Sequence, residues 1–355
     1  MLRRVSEKAL SGGRLTAEEA LRLFRSDDIF TIGRLASYAA ERKNGKNAYF
    51  IRNLHINPTN ICINRCSFCA FSRSKGEAGA FEMTTDEILG AIKAAGPVRE
   101  VHIVGGLHPE WPFEHYLEML RLIRKTFPEL GIKAFTATEV DHMQRRSGLS
   151  LDAALEALKG AGLDIMPGGG AEIFARRVRQ RLCPEKLSGQ RWLEVMEAAH
   201  KAGIKSNATM LYGHIEGYED RVEHLLRLRA LQDRTGGFQA FIPLPYIGGP
   251  MTPNSPVSAY TRTGGLDDLK TIALSRLLLD NIPHIKAYWV MLGERLSQLA
   301  LLWGADDLEG TVINEKIARA ADPENKKGLT ADELIHLIKK AGKEPVERDS
   351  FYRPI

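Results

Sequence analysis

Three cysteines lie close together in the stretch NPTNICINRCSFCAFSR, residues 57–73: Cys62, Cys66 and Cys69, in a C-x3-C-x2-C pattern. Three thiols in one short loop can hold a soft metal. A structural zinc site wants four protein ligands, yet the only other cysteine, Cys183, is more than a hundred residues away and no His stands at zinc-ligand spacing beside the three. A cubane [4Fe–4S] cluster normally takes four cysteines. Three would leave one iron without a protein ligand, and that iron is where chemistry can happen. A chance gathering of thiols, or a structural metal knuckle, is the plainer alternative.

The chain around the triad alternates strand-like and helical stretches. The run Tyr49-Phe50-Ile51, continuing through Leu54 and Ile56, predicts a first strand that delivers the cysteine loop at its C-terminal end. Further strand-like runs at 101–104, 133–137, 164–166, 206–211, 238–244, 285–290 and 304–307 are separated by helical periodicity, notably at 114–126, 151–161, 189–202, 221–232, 266–280 and 294–303. Strict alternation demands a parallel sheet with crossover helices. Eight repeats predict an α/β fold closed as a (β/α)8 TIM-type barrel, with a doubly wound open sheet as the other solution. Helical periodicity over 14–42, opened by the capping-box pair Thr16 and Glu19, and a second box at Thr330 and Glu333 lie outside this rhythm. The expected organisation is an N-terminal helical extension (1–48), a barrel (49–310) and a C-terminal helical extension (311–355). The last residues, EPVERDSFYRPI, are read as a segment laid across the barrel near its mouth.

Catalytic groups of such barrels gather at the C-terminal ends of the strands, and three conspicuous loops fall there. Gly105-Gly106-Leu107-His108-Pro109 follows the second strand. A glycine pair lets backbone approach a ligand closely, or serves a turn that needs positive φ. Pro167-Gly168-Gly169-Gly170-Ala171-Glu172 follows the fourth strand, and Glu172 is either a ligand acceptor or an acid opening a helix. Thr209-Met210-Leu211-Tyr212-Gly213-His214-Ile215-Glu216 follows the fifth, where His214 could bind an anion, shuttle a proton or be ordinary polar surface.

Composition narrows the class. In 355 residues, 44% hydrophobic and 26% charged side chains describe a globular chain able to bury a large core. The net charge of +5 comes without a long Lys/Arg block or basic residues interleaved with aromatics, which argues against nucleic acid and suits an anionic small substrate. The N-terminal MLRRVSEKALSGG lacks the apolar core of a secretory signal, and no run approaches the ~20 apolar residues of a membrane span. The expectation is a protein of the reducing cytoplasm, in which clustered cysteines bind metal and Cys183 is an unpaired structural thiol.

The triad, with the aromatic Phe68 just before its last cysteine, resembles the signature of radical S-adenosylmethionine (SAM) enzymes. The resemblance implies that Cys62, Cys66 and Cys69 ligate a [4Fe–4S] cluster whose open iron chelates SAM. An external electron donor such as flavodoxin or ferredoxin then drives cleavage to a 5′-deoxyadenosyl radical. It implies further that Gly105 and Gly106, matching the family's GGE element with Leu107 in place of the acid, meet the amino group of SAM through backbone. Phe68, Gly168, Gly169 and Glu172 would surround the cofactor, Glu172 accepting from ribose hydroxyls. Gly213 would belong to a loose GxIxGxxE element packing on the adenine, with Thr209 in place of its first glycine.

The likeness covers nearly the whole chain. GGLHP, PGGGAEIF, TGGFQAFIPL and LDDLKTIALSRLLLDNIPHIKAYW resemble the menaquinone-pathway group of radical SAM enzymes that handle futalosine-type compounds. FTATEV at 135–140 and SNATMLYGHIE at 206–216 resemble most the branch that consumes SAM by adding its adenosyl group to 3-[(1-carboxyvinyl)oxy]benzoate. A sister cyclase acting on dehypoxanthine futalosine would use the same cluster to abstract hydrogen. A non-enzymatic iron–sulfur protein would need only the cysteines. The implied substrate is a small dicarboxylate, which requires fixed cations or donors at the barrel mouth; Arg73, His108, His214 and Lys286 are the candidates. Where the family usually has an aromatic and a His-Pro pair after FIPL, this chain has Pro245-Tyr246-Ile247-Gly248-Gly249-Pro250, so that loop's substrate contacts stay open. Water must be excluded from a carbon radical, and the C-terminal segment is the expected lid.

Overall fold

The computed structural model describes residues 2–248, 263–322, 324, 326 and 328–355, without the side chains of 2–4; Gly249 and Pro250 of the divergent loop lie outside the described residues. The single first strand expected at 49–56 is broken at Arg52 into β1 (Asn47–Ile51) and β2 (Asn53–Ile56). From β2 a seven-stranded parallel sheet continues in sequence order through β3 (Glu100–Ile103), β4 (Gly131–Ala134), β5 (Ile165–Met166), β6 (Lys205–Tyr212), β7 (Phe238–Pro245) and β8 (His284–Ile285). Two later strands, β9 (Asp307–Gly310) and β10 (Glu344–Glu347), flank β1 in a second parallel sheet.

The segment that begins as β9 joins the edges of the large sheet. On one side the Ala287 N–H donates to the Asp307 carbonyl at 2.8 Å and the Asp306 N–H to the Ile285 carbonyl at 3.0 Å. On the other, the His55 N–H donates to the Ile313 carbonyl at 2.8 Å and the Ile313 N–H to the Asn53 carbonyl at 3.2 Å. Seven strands and this bridging segment thus curl into the expected barrel. The expected strand over 285–290 is only two residues long, because the chain turns at Tyr288 into the short helix Trp289–Leu292.

Side-chain caps start the outer helices where the sequence supplies them. Thr84 with Glu87 and Thr136 with Glu139 form capping boxes before the helices Thr85–Ala94 and Ala137–Ser147, and the boxes read at Thr16/Glu19 and Thr330/Glu333 are both present. The N-terminal helices Ala17–Phe24 and Ile29–Asn44 pack on the helix Gly265–Leu278, and Gly33 lies so close to Trp303 that an added Cβ would stand 2.9 Å from its ring.

Adjacent parallel strands in register point the same residues inward. His55 pairs with His102 and His102 with Lys133, while Asn53 pairs with Glu100 and Glu100 with Gly131. The interior is therefore polar on this side, unlike the branched apolar layers that usually fill such barrels.

The C-terminal segment is not at the mouth. β10 pairs with the start of β1 at Asn47–Phe50, the Ser350 carbonyl accepts from Gln239 near the start of β7 at 3.3 Å, and a Cβ on Gly131, the first residue of β4, would meet Ser350 Oγ at 2.0 Å. Tyr352 stacks on His284, the first residue of β8, at 3.7 Å. All these are N-terminal strand ends, so the segment plugs the floor and cannot be the expected lid. Arg348 anchors the plug, its Nε 2.8 Å from Asp307 Oδ2 with both side chains buried. The cation and the β10 pairing together hold the segment against the floor.

Candidate active site

The opposite, C-terminal end of the barrel opens into a cavity of about 340 Å³. Its wall brings together Cys62, Cys66, Cys69, Phe68, Gly105, Gly106, Gly168, Gly169 and Glu172 from the residues singled out in the sequence. All four cysteines are free. The three thiols border one cavity, as the ligands of a multi-atom cluster would. Burial pushes the Cys66 thiol up to about 12 and raises Cys62 as well, while Lys186 pulls Cys66 the other way. Metal binding at this loop must therefore release protons.

Local sequence explains the shape of the loop. The Cys62 N–H donates to the Arg73 carbonyl at 3.0 Å, the Cys69 N–H to Cys66 at 3.0 Å and the Ile63 N–H to Leu107 at 3.1 Å. A Cβ on Gly106 would stand 2.2 Å from the Ile61 carbonyl oxygen, so only glycine lets the loop after β3 lie against the cysteine loop. The run after β5 is similar: a Cβ on Gly168 would meet the Ala208 backbone at 2.6 Å. Strain gathers at these strand ends, since Glu172 (φ 46°) and Phe135 (φ 58°) hold left-handed backbone without being glycine.

Two carboxylates line the same end. Glu172 Oε1 lies 2.6 Å from Lys186 Nζ, which sits 5.3 Å from the centre of the Phe68 ring. Burial opposes both charges, but the pair outweighs it, holding Glu172 below and Lys186 above its ordinary value, with Cys66 also raising the lysine. Glu139 accepts from the Gly105 N–H at 3.0 Å and from the N–H and hydroxyl of Thr136 at 2.7 and 2.8 Å. Burial raises its carboxyl to about 7 against those hydrogen bonds. Neither Glu139 nor Lys186 was singled out in the sequence. The capping-box spacing Thr136-x-x-Glu139 is a signal for the first; Lys186 has none.

The proposed anion-binding side chains are placed elsewhere. His108 is buried behind the wall, Nδ1 accepting from the N–H groups of Glu110 and Trp111 at 3.1 Å, Nε2 paired with Glu82 and the ring stacked 4.5 Å from Trp111. His214 is locked in its own turn: Nε2 lies 3.0 Å from the Leu211 carbonyl and Nδ1 2.7 Å from the Ile215 N and 2.8 Å from Glu216. Burial works against the Glu216 charge, but His214, Arg221 and the Gly213 N–H hold that carboxyl well below its ordinary value. Gly213, at φ 85° in this turn, is not part of the cavity wall either. Arg73 donates to the carbonyls of Ala70 at 2.9 Å and Ser72 at 2.8 Å, bracing the cysteine loop from outside. Lys286 is buried 2.7 Å from Glu309, and it is Glu309 that borders the cavity.

The profile described as Radical SAM superfamily matches residues 56–228, and the profile described as CofH/MqnC C-terminal region matches residues 235–355. An aminodeoxyfutalosine synthase of Thermus thermophilus is 45% identical over 99% of this chain and 95% of its own length. The chain belongs to the radical SAM superfamily. An aminodeoxyfutalosine synthase of Streptomyces coelicolor is 44% identical over 99% of this chain and 93% of its own. A cyclic dehypoxanthine futalosine synthase of the same organism is 37% identical over 99% and 88%. Among solved structures, methylornithine synthase (PylB) superposes with a TM-score of 0.77 over 96% of this chain and 97% of its own at 16% identity, a likeness of fold alone.

Radical SAM enzymes use a [4Fe–4S] cluster and SAM, act on small molecules and draw on external reductants. The residues present fit such ligands. Beyond the three thiols, the lining residues Asn57, Thr138, His55 and His102 carry buried polar atoms, Oδ1, Oγ1, Nε2 and Nδ1, that no described residue satisfies. A polar ligand in the cavity is what such atoms require. Among the described residues no helix is long and apolar enough to cross a membrane.

Proposed function

We propose that this chain is an aminodeoxyfutalosine synthase, converting SAM, 3-[(1-carboxyvinyl)oxy]benzoate and water into 6-amino-6-deoxyfutalosine, methionine and bicarbonate in menaquinone biosynthesis. The observation that carries the reading is full-length identity of 44–45% to two such synthases against 37% to the cyclase. Cys62, Cys66 and Cys69 would ligate the cluster, and the bound cluster and SAM supply an adenosyl group as a carbon radical.

The chain's own residues do the positioning. Glu139 fixes the Gly105 N–H at one side of the cavity, and the lining residues Thr138 and Asn57 hold buried polar atoms, Oγ1 and Oδ1, with no partner among the described residues. Asn57 itself is held by its Nδ2, which donates to the Val104 carbonyl at 2.7 Å. Glu172, anchored by Lys186, presents a charged acceptor beside Phe68, suited to ribose hydroxyls. Water exclusion falls to the mouth, where Tyr246, Tyr288, Met291 and the helix Ile317–Ala321 border the cavity. A reduced cluster and four free cysteines suit a reducing cytoplasm, with a small acidic redox protein such as flavodoxin or ferredoxin as donor.

The test supplies the anaerobically reconstituted enzyme with SAM labelled in its adenosine portion, the enolpyruvyl benzoate and a reductant, and follows products by mass spectrometry. The label should appear in a product heavier than the substrate, with methionine released in step. Labelled 5′-deoxyadenosine equal to methionine, with dehypoxanthine futalosine consumed, would replace the synthase by the cyclase.

A further inference from the structure

The cavity wall carries a feature apart from the cysteine loop and the glycine turns. His55 on β2 and His102 on β3 face each other across the sheet register with ring centres 4.4 Å apart, tilted by 51°. Both border the cavity, and His55 Nε2 and His102 Nδ1 are buried with no hydrogen-bond partner among the described residues. Two adjacent imidazoles beside a cavity, each with a buried ring nitrogen left unmet, lack the partner that buried polar atoms require. Each neutral ring can turn its one N–H toward a ligand.

Charge decides what that ligand is. The groups facing the pair are Glu100 of β3, Lys133 of β4, Lys286 just after β8 and Glu309 of β9. Lys133 lies 2.6 Å from Glu100 and 3.5 Å from Glu309, and Lys286 lies 2.7 Å from Glu309. Behind them Arg348 and Asp307 form a further pair. These acids and cations cancel, so the empty floor is neutral and offers donors with no free anion beside them. Burial keeps both rings uncharged: it lowers His55 to about 4, with Glu309 and Glu100 opposing it and Lys133 and Lys286 adding to it. His102 lies well below its ordinary value from burial, with His55, Lys133 and Lys286 adding and Glu309 opposing. An entering carboxylate would be the one uncompensated charge, and one proton on the pair would neutralise it.

We propose that His55 and His102 are a floor subsite that binds the aryl carboxylate of the substrate, one N–H from each ring, with uptake of one proton. The assignment of that carboxylate rests on the synthase reading. The reacting alkene must lie at the cysteine end, and the enolpyruvyl carboxylate is attached to it, so the aryl carboxylate is the group that reaches down the barrel axis. The two histidines act by positioning, and take no part in bond making.

The test is calorimetric titration of substrate into the reconstituted holoenzyme with SAM and no reductant, so that nothing turns over. It is run at pH 6 in two buffers of different ionisation enthalpy. The wild type should take up close to one proton with 3-[(1-carboxyvinyl)oxy]benzoate. Affinity should fall as pH rises, by up to about tenfold per pH unit. With 2-phenoxyprop-2-enoate, which lacks the aryl carboxylate, uptake should vanish and Kd should rise at least tenfold. In His102→Phe and His55→Asn the two ligands should bind alike, and KM for the true substrate should rise more than kcat falls. Equal proton uptake with both ligands in the wild type overturns the subsite even if the variants do not fold. So does retained discrimination in the variants. If the wild type makes adenosylated product while either result holds, the subsite alone is wrong. If it neither binds the benzoate nor makes product, the synthase reading has failed and the subsite with it.

Discussion

Glu139 should make the protein less stable as pH rises through neutrality, and Glu139→Gln should remove that dependence. Glu139 is 5% exposed, and burial raises its carboxyl from 4.5 to about 7. A folded value above the unfolded one means that the native state holds the extra proton between those limits. The stabilisation is therefore complete below about 4.5 and is lost as pH rises through about 7. That gap, at ~1.36 kcal/mol per pH unit, amounts to about 3 kcal/mol at pH 8. Glutamine is never charged but cannot copy the carboxylate fully. With its oxygen toward Thr136 it turns an NH2 toward the Gly105 N–H and leaves one hydrogen bond unmade, worth ~1 kcal/mol or somewhat more. The variant should thus be less stable than wild type by ~1–2 kcal/mol at pH 5 and more stable by a similar amount at pH 8. Guanidinium unfolding of the metal-free, reduced protein at four pH values from 5 to 8 measures this directly. A difference between the two proteins that is flat across that range would refute the assignment of a proton to buried Glu139.

Two other predictions concern the cysteine end. Cys62→Ala, Cys66→Ala or Cys69→Ala should each abolish the iron content and visible absorbance of the anaerobically reconstituted protein, whereas Cys183→Ala, a buried thiol outside the cavity wall, should keep both; a Cys66→Ala protein with full iron and turnover would sink the cluster reading. Glu172→Gln strands the largely buried Lys186 and should cost ~3–5 kcal/mol of stability and weaken SAM binding by roughly one to two decades, while adding Lys186→Met should restore stability but not SAM affinity; unchanged melting and titration in Glu172→Gln would return it to a helix-start acid.

The barrel was legible because its signal is repetitive. Each strand-like run ends where a capped helix or a glycine turn begins, and Thr16/Glu19 and Thr330/Glu333 cap the helices they were read to cap. The cysteine loop and the Gly105-Gly106 and Gly168-Gly169 turns share one cavity wall because barrel topology sends every strand's C-terminal end to one face, whereas Gly213 does not border it. Side-chain direction was the part that spacing could not give. His108 and His214 follow strands at plausible places, yet both spend their ring nitrogens on nearby backbone and on a carboxylate, Glu82 for His108 and Glu216 for His214, a choice that spacing does not reveal. The polar interior did leave a trace. Asn53-Leu54-His55-Ile56-Asn57 and Glu100-Val101-His102-Ile103 alternate polar and apolar residues, whereas parallel strands buried on both faces normally read as continuous apolar runs. In such strands the polar set can only face the barrel axis, and that pattern marks His55 and His102 without any structure.

The plugged floor gives that polar interior its chemical meaning. Lys133, Glu100, Lys286 and Glu309 would lose most of their mutual attraction if bulk water entered from below, because Coulomb energies fall in proportion to the dielectric. Arg348 and Tyr352 close that end, Arg348 paired to Asp307 and Tyr352 stacked on His284. The barrel is consequently open at one end only. A reaction that passes through a carbon radical needs the substrate held away from stray hydrogen donors, and with the floor already sealed only the mouth has to close. Among the described residues, those that border it are in the helix Ile317–Ala321 and the stretch from Tyr246 to Gly248. The departure from the family's usual sequence that is expected after FIPL begins in that second stretch. It therefore bears on how the mouth closes over the substrate, while the floor that grips the far end of the substrate is built from strand residues that the divergence does not touch.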